Sequence, residues 1–279
     1  MNTTPSPNTP TAPPPDLALH LVVRADPWET LRQHTAARIA LGRVGASLPT
    51  AEVLRLGLAH AQARDAVHTP LDFAALSLTL QADGWLPLQV RSQALTRQNY
   101  LLRPDLGRRL HPDDTNRLRQ HAGPNPMCEL AIVVADGLSS AAVQQHAAPL
   151  LATLKDQLQT DWGATPLVLA EQGRVAIGDD IGELLGARLL VLLIGERPGL
   201  SSPASLGIYI TYSPRIGRMD SERNCISNVR PEGLPYDQAA HKLAWLCRAA
   251  LRIGVTGVAL KDDSPSASIA LGAAITLPR

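Results

Sequence analysis

Unbroken apolar runs alternate with helical-period apolar stripes along this chain, and the run at 189–194 is the sharpest of them. Leu189 to Ile194 are six consecutive apolar residues with no polar interruption, the pattern of a strand covered on both faces within a parallel sheet. Gly195 lets the backbone leave the sheet, and Pro198-Gly199 suits the centre of a turn whose second position has positive φ. Between them stand Glu196 and Arg197. A charged pair just past the carboxyl end of a buried strand occupies the place where open α/β sheets put ligand-contacting groups. The same pair also suits a solvated turn whose charges meet only water.

The rest of the pattern predicts elements around that strand. Asp26-Pro27 reads as N-cap and first helical residue, with Glu29 completing a capping box, so a helix is expected over Pro27 to Leu41. Thr50 caps a second, whose Val53, Leu54, Leu56, Leu58 and Ala61 form a broad apolar stripe up to Val67, and Asp72 to Ala82 is a third. Residues 88–110 show little periodicity and many basic groups, and read as a connector. Asp113 caps a short helix to His121.

After the break at Gly123 to Pro126 the pattern changes. Leu130 to Ala135 is a second buried strand, followed by the turn Asp136-Gly137-Leu138-Ser139-Ser140 and a long helix over about 141–160. Val168 and Leu169 lie in a strand, Ile177 to Leu185 in a helix, Ile208 to Thr211 in a further strand, and Pro235 to Ile253 in a last helix. Strands alternating with helices predict a parallel sheet, because parallel neighbours need crossover connections. The expected fold is α/β: a Rossmann-like parallel sheet with helices on both faces over 123–261, preceded by a helical N-terminal lobe and connector over 26–122. Residues 1–25 read as a disordered proline-rich lead, six prolines falling within the first 16 residues, and 262–279 as a loose tail.

Composition narrows the function. With 45% apolar and 18% charged residues the chain reads as a soluble globular protein. A net charge of +1 gives no electrostatic case for nucleic acid or an anionic membrane, and 3% aromatics argue against base-stacking surfaces. No apolar span of transmembrane length and no signal-peptide core are visible, so a cytoplasmic protein is expected. Cys128, Cys225 and Cys247 are too few and too scattered for a disulfide framework or a zinc site, and the eight histidines form no H-x-x-x-H pair.

The motifs of common chemistry are missing. Where a dinucleotide fold wants G-x-G-x-x-G after its first strand, this chain has DGLSS. There is no phosphate-binding G-x-x-x-x-G-K-[ST] loop and no G-x-S-x-G elbow. Arg103, Arg108 and Arg109 in RPDLGRR can bind phosphate or the carboxylates of a partner, or face water. Glu183 and Asp220 are isolated carboxylates. The residues describe a ligand-binding architecture without a catalytic set, as in a binding domain or a subunit.

Taken together, RPDLGRRL (103–110), DGLS (136–139), GRVAIGDDIGELLGA (173–187), GERPGL (195–200), YSPR (212–215) and CISN (225–228) resemble the small subunit of ethanolamine ammonia-lyase, from about Asp26 to Asp262. The resemblance implies an adenosylcobalamin-dependent enzyme, a carbon–nitrogen lyase converting ethanolamine to acetaldehyde and ammonia by a radical rearrangement. It further implies a hetero-oligomer in which a large barrel subunit carries substrate and radical chemistry while the small subunit closes over the cobalamin. Some enzymes of this kind are enclosed in a bacterial microcompartment. Three positions carry over as cofactor contacts: Val175 in GRV, Glu196 in GERPG and Cys225 in CISN. No catalytic residue and no metal ligand is implied for this chain. It also lacks the D-x-H-x-x-G by which some cobalamin domains replace the base below cobalt, so a base-on cofactor is expected. Two other readings stand beside this one, a stand-alone nucleotide-binding oxidoreductase and a non-catalytic interaction subunit.

Overall fold

The computed structural model describes residues 23–265. Residues 1–22, with most of the proline-rich lead, and residues 266–279 of the expected tail lie outside them. The chain divides into two compact units, one ending at His60 and one beginning at Ala61.

In the first unit the helix expected over Pro27–Leu41 is replaced by a 3-10 helix of Glu29–His34 alone. Local side-chain bonds take the place of the longer helix. Asp26 Oδ1 accepts from Trp28 N at 2.9 Å, and Thr35 Oγ1 accepts from Ala37 N at 3.1 Å, the short-range pairing by which Asp and Thr favour turns over helix. Thr35 is extended and Ala40 and Gly42 have positive φ. The chain thus doubles back, and Arg24 and Arg43 exchange two backbone hydrogen bonds at 2.7 and 2.9 Å. The stripe beginning at Thr50 is helical as expected, forming α1 (Thr50–His68), whose residues from Ala61 onward belong to the second unit.

In the second unit α2 (Phe73–Ala82) starts at its Asp72 cap. The segment read as a connector contains β1 (Leu88–Arg91), α3 (Arg97–Leu102) and a 3-10 turn at Leu106–Arg108. Next come α4 (Pro112–Ala122), β2 (Cys128–Ala135), α5 (Ser140–Gln157), β3 (Leu167–Glu171), α6 (Ile177–Leu184) and β4 (Ala187–Gly195). The chain continues as β5 (Leu206–Tyr212), β6 (Arg223–Val229) and α7 (Tyr236–Ile253), the last closed by Gly254 in the left-handed region at φ 75°. No helix among the described residues is long and apolar enough to cross a membrane.

The six strands form one sheet in the order β1-β3-β2-β4-β5-β6. The first four are parallel, β2, β3 and β4 as expected and β1 as an added strand from the segment read as a connector. β5 and β6 are not: β5 runs antiparallel to β4, and β6 antiparallel to β5, so the sheet is mixed. The connection Glu196–Ser205 holds no helical stripe, and without a crossover helix the chain can only fold straight back. β6 carries an irregularity opposite Leu206–Ile208 that puts Ile226 and Val229 rather than alternate residues on the core face. That shift breaks the period of two by which strands are recognised.

Helices cover both faces of the sheet. On one, Leu130, Ile132, Val134 and Leu193 pack with residues of α2, α5 and α7; on the other, Val133, Val168, Leu190 and Leu192 pack with Ile177 and Ile181 of α6 and Leu118 of α4. Two glycines let α6 lie close to the sheet. A Cβ at Gly178 would stand 2.5 Å from Leu190 Cδ2, and one at Gly182 would stand 2.4 Å from Pro214 Cγ.

The proline ring cannot swing away as a leucine tip can, so Gly182→Val should overpack this contact and cost about 1 to 3 kcal/mol. Gly57→Ala, in an α1 position with nothing within 4 Å, should instead gain up to about 1 kcal/mol from helix propensity. Urea unfolding of both variants checks the contrast, and equal midpoints would refute close packing of α6.

Candidate functional site

The turns after β2 and β4 meet backbone to backbone at the carboxyl ends of the parallel strands. Leu138 N donates to Gly195 O at 2.9 Å. A Cβ on Gly137 would stand 2.2 Å from Gly195 O, and one on Gly195 would stand 2.1 Å from Ser139 O. The glycines of DGLS and GERPG are therefore there for each other, and the turn that holds phosphates in dinucleotide folds is here filled by a neighbouring strand end.

Glu196 emerges from this junction half-buried. Its Oε2 accepts from the Ser205 hydroxyl at 2.7 Å and from Asn228 N at 3.1 Å, while its own N–H donates to Ser205 O at 3.0 Å. A Cβ at Gly207 would come within 3.1 Å of Glu196 Cγ, so that glycine makes room for the side chain over β5. A carboxylate offers about four lone-pair sites, and these two donors leave acceptor capacity unused.

Cys225 is exposed on β6, directly opposite Tyr209 of β5, with Ser227 Oγ 3.4 Å from its Sγ. Tyr209 joins the two positions. Burial pushes its hydroxyl up to about 12, with further upward contributions from the adjacent Cys225 thiol and from Glu196. Val175 follows β3 at the entry to α6 and packs against the same side of the sheet as Tyr209. One turn further along α6, Asp179 makes a two-pronged bond to Arg223 at 2.7 and 2.6 Å, and Arg223 precedes Cys225 by two residues on one face of β6. The ion pair thus fixes the helix that Val175 leads into relative to the strand carrying Cys225. Tyr209 was not singled out in the sequence, where an aromatic in a short strand reads only as core.

Behind Val175 lies a buried polar network that sequence reasoning also missed. Arg97 Nε donates to Val67 O at 2.7 Å and its Nη1 to Gly137 O at 2.8 Å and Gln172 Oε1 at 3.3 Å. One side chain therefore ties the end of α1 to the turns after β2 and β3. Its guanidinium and that of Arg174 lie 4.7 and 4.3 Å from the centroid of the Tyr100 ring. The Tyr100 hydroxyl donates to Gly173 O, and Asp136 Oδ1 accepts from Gly173 N at 3.0 Å. Partners that are mostly main-chain carbonyls leave no signature in a sequence.

Of the other charged candidates Arg108 and Arg197 are exposed, and the rest have partners within the chain. Arg103 pairs with Asp105 at 2.7 Å, and Arg109 with Asp180 at 3.0 Å. Gly107 O accepts from Arg174 N at 2.7 Å, so the RPDLGRR turn supports the loop leading to Val175. Glu183 accepts from Ile216 N at 2.9 Å. Asp220 is almost fully exposed, 3.6 Å from Arg223 Nε. Among the described residues no three His, Cys, Asp or Glu side chains gather into a set that could hold a metal ion.

Comparison with known proteins bears on this arrangement. Residues 25–261 match the family model described as Ethanolamine ammonia-lyase light chain (EutC). A protein of Azotobacter vinelandii named ethanolamine ammonia-lyase small subunit is 58% identical over 246 residues, covering 88% of this chain and 91% of that protein. Proteins of the same name from Pseudomonas putida and Ralstonia nicotianae are 57% and 55% identical, each over 86% of this chain and over 89% and 90% of their own lengths.

Burial pushes the Asp136 carboxyl up to about 6, against the opposing pull of Arg97. With an unfolded value near 4, the folded chain holds more protons than the unfolded one between about pH 4 and pH 6, so this group's contribution falls as pH rises through that window. Two pH units correspond to about 3 kcal/mol. Asp136→Asn, which cannot ionise, should therefore gain on the wild type by about 2 kcal/mol between about pH 4 and pH 6, the remainder falling just outside that window. Urea unfolding at both pH values measures it, and a constant difference between the two proteins would rule it out.

Proposed function

The chain belongs to the ethanolamine ammonia-lyase light-chain family, and on that premise we propose that it is the small subunit of an adenosylcobalamin-dependent ethanolamine ammonia-lyase. Its part is to close the cobalamin site at the interface with a large subunit that binds ethanolamine and carries the radical chemistry. The observation that carries this reading is that Glu196 lies over Gly207 while Cys225 stands opposite Tyr209, two residues further along β5, on the sheet face that Val175 flanks. The site combines one held carboxylate, one thiol and apolar surface, with no nucleophile–base pair. That is the composition of a binding surface.

The residues present suit a corrin. Its rim bears amide side chains, whose N–H groups need acceptors, and the spare capacity of Glu196 supplies one in a charge-assisted bond. Val175 offers apolar area and nearby backbone groups, and the exposed Cys225 offers a small, polarisable contact. When bound, adenosylcobalamin supplies the radical chemistry. This chain's residues bind, orient and exclude water. The Arg97–Tyr100–Arg174 network and the Asp179–Arg223 pair hold the contact residues in place. The filled DGLS turn speaks against a dinucleotide-binding oxidoreductase, because a Cβ-sized group already has no room at Gly137.

Co-expression with the large subunit should give ethanolamine deamination that requires adenosylcobalamin, while the isolated chain should give none; turnover by the single chain would overturn the assignment. Within the complex, Glu196→Ala should raise the half-saturating cobalamin concentration about five- to 150-fold, the equivalent of roughly 1 to 3 kcal/mol for an unpaired donor. Glu196→Gln keeps the shape and an acceptor oxygen and should lose less. Absorbance titration with cobalamin reads this directly, alongside melting curves that register any loss of the Ser205 and Asn228 bonds. Unchanged half-saturation for both variants would remove Glu196 from the contact set.

A further inference from the structure

A cavity of about 480 Å³ lies at the other end of the sheet, where β2 and β4 begin and α5 and α7 end. None of the residues placed in the cobalamin-contacting site lines it. Its base is apolar, built from Leu130, Leu158 and Leu189, with Trp245 and Leu251 at the side. Volumes of a few hundred cubic ångströms are those of small-molecule sites.

Its polar groups are unbalanced. Arg188, Arg248 and Arg252 line the cavity against one carboxylate, Glu129, which lies 3.4 Å from Arg188. Arg248 donates to Gln157 O at 3.2 Å and has no carboxylate in ion-pair range among the described residues. Burial lowers its basicity, the mark of a guanidinium short of counter-charge. The carboxyl ends of two helices point here and each carries roughly half a negative charge. After these and Glu129 are set against three guanidinium groups, about one positive charge remains uncompensated.

We propose that this cavity binds a small organic monocarboxylate with an apolar body, the carboxylate held by Arg248 and Arg252 and the body lying against Trp245 and the leucines. One negative charge matches the excess at the mouth. A guanidinium takes a carboxylate through parallel N–H bonds that a neutral head group cannot reproduce.

The test is calorimetric titration of octanoate into the full chain, with Trp245 fluorescence as a second readout and Trp245→Phe as its control. Saturable binding at one site is expected, weakened about tenfold or more by Arg248→Gln and by the exposed Arg252→Gln. The second variant keeps the test open if the first fails to fold. Octanol, equal in chain length but uncharged, should bind at least about tenfold more weakly. The proposal is overturned by octanol binding as well as octanoate, by affinity unchanged in both arginine variants, or by no saturable octanoate binding at millimolar concentration. Loss of binding on assembly with the large subunit would also overturn it, assigning the cavity to a protein interface instead.

Discussion

The Arg223–Asp179 pair fixes how this molecule presents its carboxyl-edge surface. Both side chains are 2% exposed, and the guanidinium grips both carboxylate oxygens while also donating to Thr211 Oγ1 at 3.1 Å and Arg218 O at 2.9 Å. Burial works to lower the Arg223 pKa, but Asp179, with Asp220 adding to it, outweighs burial and holds the group above its ordinary value. Removing either partner would strand a charge in the interior, a penalty larger than the net worth of the intact pair. What the pair supplies is geometry. An apolar contact lets a helix slide on a sheet, whereas a two-pronged bond sets α6 against β6 in one register, across the two strands between them.

The carboxyl edge is organised in the same manner by a second set of charges. Arg97 reaches three separate segments, two through main-chain carbonyls and one through the Gln172 side-chain oxygen, so the loop ends around Gly137 and Gln172 are held together. Loops at a sheet's edge are ordinarily its most mobile parts. Here they are tied to a core whose central strand is buried along nearly its whole length. Under the proposed function that stiffness favours closure over a large ligand, since less ordering remains to be done at binding.

Much of this was legible in the residues. The unbroken apolar stretch at Leu189–Ile194, the LAIVVA strand and the stripes of α2, α5, α6 and α7 all lie where periodicity put them, because burial on one face or two leaves a direct mark; α1 forms where its stripe put it, although Val53, Leu54 and Leu58 of that stripe are exposed. The direction of β5 was not legible: strand alternation suggested another crossover, and only the absence of a helical stripe in Glu196–Ser205 hinted otherwise. Asp26 and Glu29 match a capping box, yet Asp26 spends its oxygen on Trp28 N in a turn; the same short side chain serves both purposes and the sequence does not decide between them. At the site, Glu196 could be placed past a strand end from pattern alone, whereas Val175 and Cys225 came only through the family resemblance. Tyr209 and Arg97 escaped both routes.

Under the proposed function, Glu196 reconciles folding with binding in one side chain. Its bonds to Ser205 and Asn228 close the β4–β5 connection onto the end of β6, so the carboxylate is already held before any ligand arrives. A free surface glutamate would have to give up rotamer freedom on binding, at about 1 to 2 kcal/mol; this one has given it up in folding. The two donors meet the same oxygen, Oε2, and thereby orient the carboxylate plane. Under the proposed function, Ser205 and Asn228 are then positioning residues for the cofactor contact, acting through Glu196. The irregularity in β6 that hid the strand from sequence reading is also what turns Asn228 N toward the carboxylate, since Asn228 adopts a positive φ of 60° just where the pairing shifts. The break in strand period and the preset acceptor have one structural cause.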